Sequence, residues 1–183
     1  MPSKNSTIRF VAFLRGINVG GNKIIPMAKL KTMFELLGFT NVKTLLATGN
    51  ILFDASETKP EKLVTLIEKK IEATFDLHSH AIVRTLDNLQ KLIDREPFKK
   101  IKVTPEKRLY ITFLAAKPTS KLVIPYRSPT NDFEILSVSD TEICSVLTLN
   151  PKTRSVDAMQ ILEKEYGKNV TTRNWNTVMK LVR

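Results

Sequence analysis

The chain is poor in the residues that brace small secreted proteins or hold metals: among 183 residues it has one cysteine, Cys144, and two histidines. One thiol cannot close an intramolecular disulfide or build a zinc site by itself. The setting of Cys144, Glu142-Ile143-Cys144-Ser145-Val146-Leu147, reads as a strand in which the thiol packs like a small apolar group. Cysteine usage of this kind points to a reducing cytoplasm. Long apolar runs are missing too. No stretch reaches the roughly 18 apolar residues of a membrane span, and the polar segment from Met1 to Arg9 has no apolar stretch of a secretory signal. Neither export nor membrane insertion is therefore expected. Low-complexity segments are absent, and 42% apolar with 26% charged residues describes an ordinary soluble globular chain. At this length roughly 70% of the unfolded surface can be buried, so no disulfide or metal staple is needed.

What the sequence has in excess is positive charge, 29 basic against 18 acidic residues for a formal +11. The excess is local. Residues 1–31 carry six Lys/Arg and no acid, 95–108 six against two, and 150–183 seven against three, while the remaining stretches sum to −3. A charge distribution of this sort favours an anionic partner, either a phosphorylated small molecule or nucleic acid, although simple solubility accounts for it as well.

Along the chain, Ile8 to Leu14 reads as a buried strand. Pro26 sits well at a first helical position, ahead of an apolar face of Met27, Leu30, Met33, Phe34 and Leu37 and a stop at Gly38. Val42 to Ala47 and Ile51 to Phe53 predict a hairpin turning at Thr48-Gly49-Asn50. Pro60 opens a helix whose Leu63, Ile67, Ile71 and Phe75 recur every four residues, and Ala81 to Val83 is a further strand. The order β-α-β-β-α-β is that of the ferredoxin-like unit, two helices on one face of a mainly antiparallel sheet. Asp87 and Gln90 suggest a capping pair for a helix with Leu89, Leu92 and Ile93, ended by Pro97. The basic connector Lys99-Lys100-Ile101-Lys102, with Pro105 behind it, marks a boundary between two halves, 1–97 and 98–183. The second half echoes the first: a strand at Leu109 to Ala115, a hairpin of Phe133 to Val138 with Ile143 to Leu149, and a helix from Val156 to Tyr166 stopped by Gly167. A Pro-rich piece, Pro118 to Pro129, replaces its first crossover helix. The fold class expected is α+β, two ferredoxin-like halves with helices packed on mainly antiparallel sheets.

Two segments carry chemistry. The loop Arg15-Gly16-Ile17-Asn18-Val19-Gly20-Gly21-Asn22-Lys23 lies between a strand and a helix, the setting of a phosphate-binding loop. Asn22 interrupts the Gly-Lys pair, no Ser or Thr follows Lys23, and the helix starts only near Pro26, so a P-loop nucleotide triphosphatase is disfavoured. What survives is general: glycines that let backbone N–H groups approach a ligand, flanked by the donors Arg15, Asn18, Asn22 and Lys23, with a tight glycine turn as the competing explanation. The second segment is Val170 to Val178. Thr171 reads as the N-cap of the last helix with Val170 and Trp175 as a hydrophobic staple, which puts Arg173 and Asn174 in the first turn. A cation there opposes the helix dipole, a hint that an anion sits nearby.

These segments resemble a known family. Leu14-Arg15-Gly16-Ile17-Asn18-Val19-Gly20-Gly21 with Pro26-Met27, the Gly38-Phe39 helix stop, Gly49-Asn50 before Phe53, and Arg173-Asn174-Trp175-Asn176-Thr177-Val178 look like the bacterial family catalogued as domain of unknown function 1697. The resemblance spans essentially the whole chain. It implies a two-part α+β fold of ferredoxin-like character and no established activity. At Ala47-Thr48 the chain departs from the family's more usual Gln-Ser, which puts in doubt any role for a side-chain amide there.

Other constellations are weak. His78 and His80 fall on one face of a strand start, but no cysteine or clustered carboxylate joins them, so no metal is expected. A general acid or base is not identifiable beyond Lys23 or Asp54, and no nucleophile motif is present. The favoured reading is a binding module that holds a phosphate-bearing ligand, a nucleotide or short single strand, in a basic cleft between the halves. Its candidate ligand-binding residues are Arg15, Gly16, Asn18, Gly20, Gly21, Lys23, Asn50, Arg173, Asn174 and Asn176. An enzyme acting on a small phosphorylated metabolite and a ligand-free scaffold are the alternatives. The cofactor and the oligomeric state are open.

Overall fold

The structure, a computed structural model, describes residues 6–18, 24–56, 58–150 and 157–183. The chain divides into two compact units, residues 1–91 and 92–183. The basic connector singled out from the sequence lies inside the second.

Unit 1 runs β1 (Thr7–Leu14), α1 (Met27–Leu36), β2 (Thr40–Leu45), β3 (Asn50–Ser56), α2 (Pro60–Phe75) and β4 (Ala81–Thr85). The four strands form one sheet in the order β2-β3-β1-β4, every neighbouring pair antiparallel. This is the ferredoxin-like arrangement that the element order implied. Alternation along β1 sends Phe10, Ala12 and Leu14 to the helices, where they meet Leu30, Met33 and Phe34 of α1 and Leu63, Ile67 and Ile71 of α2. Phe53 of β3 is the centre of this core, with its ring 4.5 Å from that of Phe39, 5.3 Å from Phe34 and 5.8 Å from Phe10. Pro26 caps α1 from the residue before its first turn, and Gly38 follows its C-cap at a φ of +83°.

The helix α3 (Leu86–Asp94) continues directly from β4 and carries the division between the units. Its N-terminal turn is closed by Thr85, whose hydroxyl accepts the Asn88 amide and donates to the Asn88 side chain. The expected Asp87–Gln90 cap is thereby displaced: with no loop between β4 and the helix, Asp87 already lies inside the first turn.

Unit 2 continues with β5 (Lys107–Leu114), the two-residue β6 (Tyr126–Arg127), β7 (Phe133–Val138), β8 (Glu142–Thr148), α4 (Ala158–Tyr166), β9 (Val170–Asn174) and α5 (Trp175–Leu181). Its antiparallel sheet has the order β6-β7-β8-β5-β9. Leaving β6 aside, β7-β8-β5-β9 repeats the order of unit 1 strand for strand. Leu162 of α4 packs on Leu114, Phe133, Ile135, Ile143 and Val170. Asp157 caps α4 by accepting the Gln160 amide, which starts the helix two residues after the expected Val156, a residue outside those described. The thiol of Cys144 is buried in β8, as its setting suggested, and burial pushes its pKa up.

One expectation fails here. Val170–Asn174 is a strand paired with β5, and the last helix begins only at Trp175. Its N-cap is Asn174, whose side-chain oxygen accepts the Asn176 amide at 2.9 Å. The run Val-Thr-Thr at the start of the segment prefers a pleated sheet, and Thr112 of β5 offers Thr172 a hydroxyl partner at 2.8 Å. Arg173 is accordingly a strand residue, and the argument that it opposes a helix dipole does not apply.

Candidate ligand-binding site

The glycine loop is tied down by its own polar side chain. Asn18, at a φ of +55°, donates through its amide to the carbonyls of Ile25 (3.0 Å) and Ala47 (2.7 Å), and its oxygen accepts the Ile25 N–H at 2.7 Å. These bonds clamp the end of the loop to the β2–β3 turn. Arg15 lends its backbone to the same bracing: its N–H donates to the His80 carbonyl and its own carbonyl accepts the Ser79 hydroxyl. Gly16 adopts a φ of +67° with open space where a Cβ would stand. Asn50 is fully buried and donates to the Leu45 carbonyl and the Thr48 hydroxyl, holding the turn from beneath. Gly49 is needed there for two reasons, a φ of +75° and a Cβ position only 2.9 Å from that of Leu14. Gly20, Gly21 and Lys23 lie outside the described residues.

Arg15, Gly16, Asn18 and Asn50 thus belong to unit 1, whereas Arg173, Asn174 and Asn176 belong to unit 2. Arg173 is half-buried, donating to the Thr171 hydroxyl and the Thr172 carbonyl at 2.9 Å each. Desolvation lowers its pKa to about 10, which leaves it charged at neutral pH.

One hollow is a cavity of about 690 Å³ whose lining residues all belong to unit 2. Its apolar part comes from Ile93, Phe98, Val103, Leu109, Trp175 and Met179, with the Phe98 and Trp175 rings meeting edge to face at 5.3 Å. Lys99, Lys107 and Arg108 add three cations, Glu96 one anion, and Thr104, Asn174 and Asn176 neutral polar groups. Neither Lys99 nor Lys107 has an ion-pair partner among the described residues, while Arg108 donates to the carbonyls of Pro105 and Lys107. Two residues from the closing motif, Asn174 and Asn176, therefore share one cavity with cations of the 95–108 segment. From the sequence, Lys99 reads only as part of the basic connector between the halves. The local excess of charge in that segment was the available signal; what folds its cations beside Trp175 is the register that sets β9 against β5.

Of the groups considered for acid–base or metal chemistry, Lys23 lies outside the described residues and the others have structural partners. Asp54 takes a 2.8 Å ion pair from Arg9 and a 2.6 Å hydrogen bond from Asn41. Burial raises its pKa, but the bonds from Asn41 and Arg9 and the Arg9 charge outweigh that, and the carboxyl ends below its ordinary value. His78 and His80 face Glu72 and Glu68 of α2 separately, at 3.3 and 3.6 Å. Among the described residues no group of three or more His, Cys, Asp or Glu is placed to hold a metal, and no helix is long and apolar enough to cross a membrane.

The fold and cavity together define a two-unit α+β protein in which one ferredoxin-like strand order occurs twice, the second time with an open, cation-lined hollow. The chain belongs to the family described as protein of unknown function DUF1697, whose sequence profile matches residues 8–144. Its structure is similar to that of the conserved bacterial protein SP0830 from Streptococcus pneumoniae, with a TM-score of 0.72 at 19% identity over 97% of this chain and 98% of that one. A likeness at that identity speaks for the fold alone. No curated protein matches the chain.

Proposed function

We propose that the protein is a binding module and that the unit 2 cavity holds a phosphate-bearing ligand. The observation that carries this reading is the meeting of three cations, against one carboxylate, with a largely apolar lining in a hollow of about 690 Å³, a size suited to a small organic ligand. An apolar body covering Val103, Leu109 and Met179, which line the cavity with exposed or partly exposed surface, would release water, and phosphate oxygens at the rim would meet Lys99, Lys107 and Arg108. The amide of Asn174, whose oxygen is engaged in capping α5, still has its N–H₂ to donate, and Asn176 is exposed with donor and acceptor together. The bracing of Asn18 and Asn50 gives the unit 1 loop a conformational role, which is why the cavity, not that loop, is assigned the ligand.

Thermal melts with matched pairs of phosphorylated and dephosphorylated metabolites test the reading. The phosphorylated member should raise the melting temperature in proportion to the logarithm of its concentration, and Lys99→Gln/Lys107→Gln should abolish the rise without lowering the melting temperature of the free protein. Equal responses to both members of every pair would defeat it.

A further inference from the structure

We infer that the unit 2 cavity takes a phosphomonoester with an aliphatic body, its dianionic phosphate at the basic rim and its body against the branched and thioether side chains of the lining. This deepens the phosphate-binding reading and rests on it. Charge selects the head group. Lys99, Lys107 and Arg108 stand against one carboxylate, Glu96, so the lining carries two positive charges in excess. Glu96 is exposed and has no ion-pair partner among the described residues. It sits in the left-handed conformation, at a φ of +48°, and its carbonyl accepts the Lys99 N–H at 3.0 Å, so one turn carries both the carboxylate and a cation into the lining. A phosphomonoester above its second ionisation, near about pH 6, is a dianion and matches the excess. A diester carries a single charge and leaves a cation unmatched, and the further charge of a diphosphate meets Glu96 as a like charge, which lowers affinity. The uncovered surface of the lining selects the body. Phe98 and Trp175 are 6% and 9% exposed, and their rings pack on each other edge to face. What a ligand can reach is aliphatic: Val103, 68% exposed, with Ile93, Leu109 and Met179 partly exposed. These side chains offer a bendable alkyl or isoprenoid body dispersion contact, and Met179 adjusts to its shape, whereas a planar base finds no open ring face to stack on.

The experiment titrates hexyl phosphate, hexyl diphosphate, methyl hexyl phosphate, thymidine monophosphate and hexanol into the protein by calorimetry, above the second ionisation of the monoester. Hexyl phosphate should bind about tenfold more tightly than the diphosphate, the diester and the nucleotide, and hexanol more weakly than any of them. Glu96→Gln should remove the preference over the diphosphate, and Lys99→Gln/Lys107→Gln should weaken every phosphate. The monoester could be a free metabolite or a lipid head group, and vesicles separate the two. Sedimentation with phosphatidylcholine vesicles that contain phosphatidic acid, reversed by hexyl phosphate, supports the inference with a lipid as the source; hexyl phosphate bound without sedimentation supports it with a soluble one. Thymidine monophosphate binding as tightly as hexyl phosphate would overturn the aliphatic assignment and leave the phosphate site standing. A diester or diphosphate binding the parent protein as tightly as the monoester would overturn the charge match in the same way. Hexanol binding as tightly as hexyl phosphate, or no binding of any phosphate together with melts in which phosphorylated metabolites act no differently from their dephosphorylated partners, would remove both readings.

Discussion

The two units reach one strand order by different means. In unit 1 the connection from β1 to β2 is a helix, α1, that buries Leu30, Met33 and Phe34 beside Phe10, Phe39 and Phe53. In unit 2 the equivalent connection from β5 to β7 has no helix: Leu122 and Ile124, alternate residues that are only partly buried, pack on the core before Tyr126–Arg127 joins the sheet edge as β6. A helix brings side chains to a core every three or four positions and an extended chain every two, so either can roof a sheet, but the extended roof has no ladder of its own and seals less area. The sheet order is therefore the invariant of the fold and the first crossover helix is replaceable. The comparison also predicts where stability is concentrated.

Phe53→Ala should have the largest effect. The ring is fully buried among three others, and its loss should cost about 3–5 kcal/mol. In the same cores, Leu30→Ala of unit 1 should cost about 2–5 kcal/mol and Leu122→Ala of unit 2 about 1–2 kcal/mol, because a partly exposed side chain leaves less of a cavity. Urea denaturation of the three variants gives the order; a Leu122→Ala cost equal to that of Leu30→Ala would show the extended roof to be as tightly packed as the helix.

The next effect separates two glycines of similar backbone. Gly49→Ala adds a Cβ 2.9 Å from the Leu14 Cβ and 3.0 Å from Ile17, on top of a φ of +75°, and should cost about 2–4 kcal/mol. Gly16→Ala meets open space at a φ of +67°, so only the conformational strain of about 1 kcal/mol remains. Thermal melts distinguish them. Equal losses would mean that Leu14 and Ile17 yield to the added methyl.

Unit 1 was legible in the sequence because its signals are redundant: prolines open or precede its helices, the apolar spacing of four in α2 is unbroken, and Gly49 marks the hairpin. Unit 2 was legible in its hairpin and in Gly167, and illegible where local and tertiary preferences competed. Thr171 satisfies the rule for a helix cap, yet pairing with β5 claims the whole segment and passes the cap to Asn174. The edge strand β6 is two residues long and leaves no periodicity to read. The candidate residues were harder still, because a side-chain amide in a glycine loop looks the same on paper whether it faces a ligand or, like Asn18, three backbone groups of its own unit. The cavity combines residues from 93 to 109 with others from 174 to 179, a juxtaposition set by strand pairing.

The smallest effects concern one ion pair in each unit, and they differ in exposure. Arg9–Asp54 has side chains 25% and 18% exposed, whereas in Arg95–Glu142 the arginine is 56% exposed and the glutamate 9%. Burial raises the Glu142 pKa, but hydrogen bonds from Thr141, Arg95 and Ser139 more than offset it, so this carboxyl, like that of Asp54, titrates below its ordinary value in the folded protein. A carboxyl with a lowered folded pKa stabilises fully above its unfolded value, near 4.5 for Glu142 and 3.8 for Asp54, and loses that contribution as the pH falls through the folded one. Glu142→Gln and Asp54→Asn should thus each cost about 1 kcal/mol at pH 7, a modest figure because solvent screens the arginines. The Glu142→Gln deficit should shrink first on acidification, below about pH 4.5, and the Asp54→Asn deficit only further down. Denaturation of both variants and the parent from pH 7 to pH 3 measures the two windows. A deficit that stays constant across that range would mean that the lost group acts through packing and not through its charge.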